Sequence, residues 1–208
     1  MKISVGILGG TFDPPHLGHT TVASEIKRIL GLETVYLMPN HIPPHKAPAS
    51  APDEHRAAMV KLICSHSNDF RYLDTEIRLG KTSYLSETML HLAANPVFSR
   101  KSIFFIIGAD SLVALHTWHN PDEIFRYCNM AVASRPGYDV NQCDESIRKR
   151  IVSLNELDPE KNGQIVLTDT SLIRVSSTML RNNPAGISPE TVDPMVVDYI
   201  RRNNLYHA

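Results

Sequence analysis

The chain has 208 residues, 42% of them hydrophobic, enough to bury the core of one sizeable domain. Its 21 Lys and Arg are offset by 22 Asp and Glu, for a formal net charge of −1. That balance gives no basis for broad electrostatic binding of nucleic acid or of an anionic membrane, so any phosphate site is local.

Short β-branched or aromatic runs alternate along the chain with stretches of helical period, the pattern of an α/β fold with a parallel sheet flanked by helices. Strands are predicted over 3–8, 34–38, 71–75, 102–107, 130–134 and 164–167. The run Ile103-Phe104-Phe105-Ile106-Ile107 is apolar throughout, as a central strand covered on both faces requires. Helices are predicted to begin near Leu17, Asp53, Ser83, Asp122, Asp144, Ser176 and Asp193. The last is signalled by Asp193 as a cap, Pro194 at the first helical position, and Val196, Tyr199 and Ile200 on one face.

The apolar stretch 3–8 is too short for a signal sequence or a spanning helix. Cys64, Cys128 and Cys143 have no C-x-x-C spacing, which argues against a disulfide framework or a zinc cage and points to a reducing cytoplasm. Residues 39–52 hold five prolines and read as a long ordered loop. The expected organisation is one domain over 1–208 with a small helical part over about 171–208.

At the first strand–helix junction stand Gly9-Gly10-Thr11-Phe12-Asp13-Pro14-Pro15-His16-Leu17-Gly18-His19. Open α/β sheets bind ligands at such junctions: glycines let phosphate approach the backbone, and the helix start offers free N–H groups. His16 and His19, three residues apart, share a helical face. Taken separately, a Gly-Gly turn and an H-x-x-H pair also have ordinary readings as a turn and as surface or metal-binding histidines.

Further motifs follow in order: Asn40-His41-Ile42-Pro43-Pro44-His45-Lys46, then Arg56, Ser83-Tyr84-Leu85-Ser86-Glu87-Thr88, Ile107-Gly108-Ala109-Asp110-Ser111, Trp118-His119, Ser134-Arg135-Pro136-Gly137 and Ser176-Ser177-Thr178-Met179-Leu180-Arg181. Lys46 on a proline-stiffened loop is a placed point charge for phosphate. Asp110 at a strand end can bond sugar hydroxyls, and the Trp118 face can stack on a cationic ring. Arg56 also has the ordinary reading of a partner to Asp53 or Glu54. Gly80-Lys81-Thr82 is no P-loop, because Thr75 stands where that motif needs glycine.

Together these segments resemble the bacterial nicotinate mononucleotide adenylyltransferases of the H-x-G-H nucleotidyltransferase superfamily, from Gly9 to Arg181. The resemblance implies a Rossmann-like, doubly wound parallel sheet with helices on both faces. It implies ATP and nicotinate mononucleotide as partners, with substrate-associated Mg2+ and no protein metal site. On the same ground ATP falls to Gly9, Gly10, Thr11, Phe12, His16, His19, Gly108, Asp110, Ser176, Ser177, Thr178 and Arg181. The mononucleotide falls to Asp13, Lys46, Ser83, Tyr84, Leu85, Trp118, His119 and Arg135, and the catalytic part to His16, His19, Lys46 and Arg181. Leu85 stands where the family has threonine in the wall around the pyridine carboxylate, which leaves acid-over-amide selection open. The rivals are a nicotinamide-mononucleotide or dual preference, another adenylyltransferase such as that for phosphopantetheine, and a non-catalytic nucleotide sensor.

Overall fold

The computed structural model describes residues 2–44, 48–134, 137–171 and 173–207. Seven strands form one sheet: β1 (Ile3–Gly10), β2 (Val35–Pro39), β3 (Phe70–Tyr72), β4 (Lys101–Gly108), β5 (Asn129–Ser134), β6 (Ile151–Val152) and β7 (Ile165–Asp169). Their order is β3-β2-β1-β4-β5-β7-β6, and every pair is parallel. The chain winds outward from β1 through β2 and β3, then crosses back to β4 on β1's other side. The carboxyl ends of β1 and β4 therefore diverge into a crevice, the place where doubly wound sheets bind ligands.

Strand alternation decides which face each side chain covers. In β4, Phe104 and Ile106 join the cluster beneath α1 (Leu17–Leu30), α2 (Asp53–Ser65) and the C-terminal helices α8 (Ser177–Asn182) and α9 (Pro194–Arg202). Ile103, Phe105 and Ile107 join the opposite cluster, under α4 (Leu85–Ala93), α5 (Ala109–Ala114), α6 (Pro121–Tyr127) and α7 (Glu145–Arg148). The apolar run read from the sequence thus serves two cores at once.

The helix α9 is capped as expected: Asp193 accepts from the Met195 N–H, and Val196 and Ile200 are buried. Two predicted features are corrected. The strand expected over 71–75 ends at Tyr72, and Thr75 instead opens a short helix, α3 (Thr75–Leu79), which Gly80, at φ 61°, closes in the left-handed conformation with its N–H on the Glu76 and Ile77 carbonyls. The region 139–164, where the sequence predicts only the helix near Asp144 and no strand before residue 164, also contributes β6, a two-residue strand pairing with β7.

Candidate active site

Two cavities open side by side in the crevice and share the floor made by Leu8, Ile106, Ile107, Gly108 and Asp110. One, of about 630 Å³, reaches the start of α1 and is lined by His16, His19, Val175 and Tyr138. The other, of about 450 Å³, reaches the start of α4 and is lined by Asn40, Ser83, Tyr84, Leu85, Trp118 and His119.

The chain leaves β1 through Phe12, which holds φ 51° although it is a bulky residue. Such a left-handed turn costs energy unless packing imposes it. Here the ring is buried in the core, 5.0 Å from the His19 ring. His16 then caps α1 in an extended conformation. Its backbone N–H donates to His19 Nδ1 at 3.2 Å, and the two imidazoles stack with centroids 3.7 Å apart. A neutral His19 whose Nδ1 accepts carries its proton on Nε2, so that nitrogen is a donor.

His16 is 8% exposed, and its Nδ1 is buried without a hydrogen-bond partner. Burial pushes its pKa down to about 4, so the ring is neutral at pH 7. Gly18 is needed for this arrangement. A Cβ there would lie 3.0 Å from His16 Nδ1 and 3.2 Å from Val175 Cγ1, so any side chain would press on the ring.

Asp13 is almost fully buried and holds together what surrounds it. Its carboxylate accepts from the Ser50 and Ala51 N–H groups at 2.7 and 3.0 Å and from the Tyr206 hydroxyl at 2.8 Å. Desolvation, then the Asp13 charge, pushes the Tyr206 hydroxyl well above the ordinary tyrosine range, so it remains a donor. Arg181 donates to the Asp13 carbonyl at 2.6 Å and to Thr178 Oγ1 at 3.3 Å, while Ser177 Oγ donates to the Pro14 carbonyl at 2.8 Å. Ser176 caps α8 by accepting from the Met179 N–H. The C-terminal motif is thereby laid along the outside of the 13–16 loop, and the chain before it supplies Ile173 and Val175 to the larger cavity.

Arg56 is fully buried beneath the same loop. It donates to the carbonyls of Thr11 at 2.6 Å and Asn40 at 2.7 Å and to Asp53 Oδ1, so it serves both a side-chain and a backbone role.

At the smaller cavity, Trp118 is half-buried and Leu85 buried. The Tyr84 and His119 rings stack at 4.4 Å, and His119 Nδ1 lies 3.1 Å from Ser86 Oγ. The sequence-derived residues divide unevenly between the cavities: His16 and His19 line the larger one, Gly9 and Gly10 the smaller, and Gly108 and Asp110 both. Thr11, Phe12, Asp13, Ser176, Ser177, Thr178 and Arg181 line neither cavity. Lys46 and Arg135 lie outside the described residues.

The sequence reading gave no role to several lining residues, Asn40, Glu76 and Tyr138 among them. Asn40 Oδ1 is buried without a partner, and its Nδ2 lies 3.4 Å from Thr11 Oγ1. Glu76 is 6% exposed, and desolvation pushes its carboxyl up, against the hydrogen bonds of Thr88 and Ser83. The available signal was a carboxylate four residues before Gly80, hidden by reading Thr75 as strand.

Gly108 separates the two cavities, and a Cβ on it would meet nothing within 4 Å. Its backbone, at φ −82° and ψ 161°, suits any residue. Gly108→Val should therefore leave Tm within a few degrees while filling the junction of the two cavities, the ones expected to take ATP and the mononucleotide. Calorimetric titration should show binding of both weakened by tenfold or more, on the order of 1.4 kcal/mol. Unaltered binding would separate this junction from the ligand path.

Among the described residues no group of three or more His, Cys, Asp or Glu could hold a metal ion. No helix among them is long and apolar enough to cross a membrane.

The parallel sheet and paired cavities, one ending on a histidine pair at a helix start and one on an aromatic wall, define a nucleotide-handling protein of the doubly wound α/β class. A family model described as cytidylyltransferase-like matches residues 7–183. A Shewanella sediminis protein named "Probable nicotinate-nucleotide adenylyltransferase" is 38% identical over 209 residues, covering 98% of each chain. A Shewanella frigidimarina protein of the same name is also 38% identical, covering 97% of this chain and 99% of its own. The fold is that of Plasmodium falciparum nicotinic acid mononucleotide adenylyltransferase complexed with NaAD, at TM-score 0.73 and 19% identity, covering 99% of this chain and 98% of that one. The chain belongs to the nicotinate-nucleotide adenylyltransferase family, and is a nucleotidyltransferase of the cytidylyltransferase-like kind.

Proposed function

We propose that the protein transfers the adenylyl group of ATP to nicotinate mononucleotide, giving nicotinate adenine dinucleotide and pyrophosphate in NAD biosynthesis. The observation that carries this reading is the meeting of the two cavities at Gly108 and Asp110, with the histidine pair on one side and Trp118 on the other. A triphosphate in the larger cavity and a mononucleotide in the smaller one bring the mononucleotide 5′-phosphate oxygen to the α-phosphorus. As that bond forms, the bond to the bridging β-phosphate oxygen breaks and pyrophosphate leaves.

Both reactants are anionic, so the protein's work is alignment and charge stabilisation, without a covalent intermediate. The imidazoles of His16 and His19, which line the larger cavity, are the groups assigned to the phosphate oxygens. His16 enters neutral; an adjacent phosphate favours its protonated form, so charge arrives where the reaction develops it. Arg181, with Ser176, Ser177 and Thr178, is assigned to the leaving pyrophosphate, which requires its hold on Asp13 to be shared with the ligand. Lys46 and Arg135 are assigned to the incoming mononucleotide. Mg2+ bound to the triphosphate would supply charge neutralisation, and no residue of the chain is assigned to hold it.

The pyridine ring stacks on Trp118, and its carboxylate meets the first turn of α4, whose N-terminal amides suit an anion. Leu85 contributes a backbone N–H there and no hydroxyl. Residues 1–208 act as one domain in the cytoplasm, where Cys64, Cys128 and Cys143 stay as free thiols, as they are in the structure.

Pyrophosphate release with nicotinate or nicotinamide mononucleotide, compared as kcat/KM, tests the proposal. Preference for the acid is the expected result. Equal use of both would assign relaxed selectivity to Leu85, and turnover of neither would overturn the substrate assignment.

A further inference from the structure

The histidine of the loop after β2 was read only as part of a proline-rich motif, yet its hydrogen bonds lead both to the loop after β1 and to the start of α4. His41 Nδ1 bonds Asp53 Oδ2, and the other Asp53 oxygen accepts from Arg56. Arg56 in turn holds the carbonyls of Thr11 and Asn40, the latter already tied to β1 by its own N–H to the Gly10 carbonyl at 2.9 Å. On the other side, the His41 N–H donates to Ser83 Oγ at 3.0 Å, and the Ser83 N–H donates back to the Ile42 carbonyl at 2.9 Å. Ile42 also forms an isolated parallel bridge with Thr82. Ser83 is a hydrogen-bonding partner of buried Glu76, which Thr88 of α4 also holds, at 2.9 Å. A continuous set of hydrogen bonds thus runs from Thr11, in the phosphate loop, to the first turn of α4.

We infer that His41 is a positioning residue for the mononucleotide: through Asp53 and Arg56 it fixes the Ser83–Leu85 wall to the backbone of the phosphate loop. The inference deepens the function proposed above and rests on it. His41 touches no reacting group; it acts by setting where Ser83 and the first turn of α4 stand relative to Gly10 and Thr11. Because the side chains of His41 and Asp53 are 28% and 25% exposed, the link can be cut without opening the core. Sites held by such supporting hydrogen bonds lose affinity when the support goes, although the ligand contacts remain in the sequence.

Trp118 is the chain's single tryptophan and lines the mononucleotide cavity, so its fluorescence reports binding there without turnover. Titration of the wild type with nicotinate mononucleotide should give a saturable change. His41→Ala should raise the Kd about tenfold, within the range of coupling between groups in one network. The Kd of a non-hydrolysable ATP analogue, measured by calorimetry, should change less than about twofold. His41→Asn, whose amide can still donate to Asp53, should recover most of the loss. An unchanged mononucleotide Kd in His41→Ala would overturn the inference, as would an equal weakening of both ligands with a fall in Tm. A wild type with no Trp118 response would overturn the underlying assignment of the cavity. If His41→Ala does not fold, His41→Leu, which fills the space but cannot bond Asp53, takes its place, and normal mononucleotide binding in it would overturn the inference equally.

Discussion

Replacing His19 with alanine lowers kcat by about 10²- to 10³-fold while the protein stays folded, the scale of losing one preorganised transition-state donor. The expectation follows from how the ring is held. Nδ1 accepts from the His16 N–H, Phe12 packs against the ring, and His16 stacks on it, so the ring is fixed before substrate arrives. A donor oriented in advance need not reorganise as negative charge builds on the phosphate oxygens, and that saving belongs to kcat rather than to KM. The same substitution strips the His16 N–H of an acceptor, a loss on the order of 1 kcal/mol that the fold can bear. Single-turnover pyrophosphate release, with circular dichroism as the folding control, makes the measurement. Turnover within threefold of the wild type would remove His19 from the mechanism.

Arg56→Ala has the largest expected effect on stability. The guanidinium is fully buried and serves the Thr11 and Asn40 carbonyls and Asp53 together. Removing one member of a buried ionic network leaves its partners desolvated and unpaired, at a cost of about 3–5 kcal/mol. For a chain of this length that corresponds to a Tm lower by roughly 6–20 °C. Lysine should not rescue it, since a single ammonium cannot reach three acceptors in a planar fork. Urea or thermal unfolding measures the change. A loss under about 1 kcal/mol would mean that water replaces the arginine, and the loop would then owe its shape to other contacts.

Much of the site was legible because its chemistry is local. The strand–glycine–helix junction, the H-x-x-H spacing and the α9 cap each depend on residues a few positions apart, where backbone geometry alone brings side chains together. The apolar run of β4 was legible for a similar reason, since a strand covered on both faces has no polar side to show. The boundary after β3 was not, because Thr75 suits a strand and only Gly80, at the far end, marks a helix there. The pair Ile151 and Val152 was equally hidden: two residues carry no periodicity, and β7 recruits them.

The sequence by itself determined the fold class, the family and the identity of the groups that can meet a phosphate, because these follow from residue type, spacing and order. Only the tertiary structure decided what each group is occupied with. Asp13, read as a ligand for the mononucleotide, spends its carboxylate on Ser50, Ala51 and Tyr206. Gly9 and Gly10 border the smaller cavity and not the one at the histidines. Glu76 and Asn40 become lining residues only when α3 and the β2 loop fold over the sheet. The reason is physical: for Asp13, burial and hydrogen-bond partnership depend on residues 37 to 193 positions away, and they change a side chain's charge, donor capacity and reach without changing its identity.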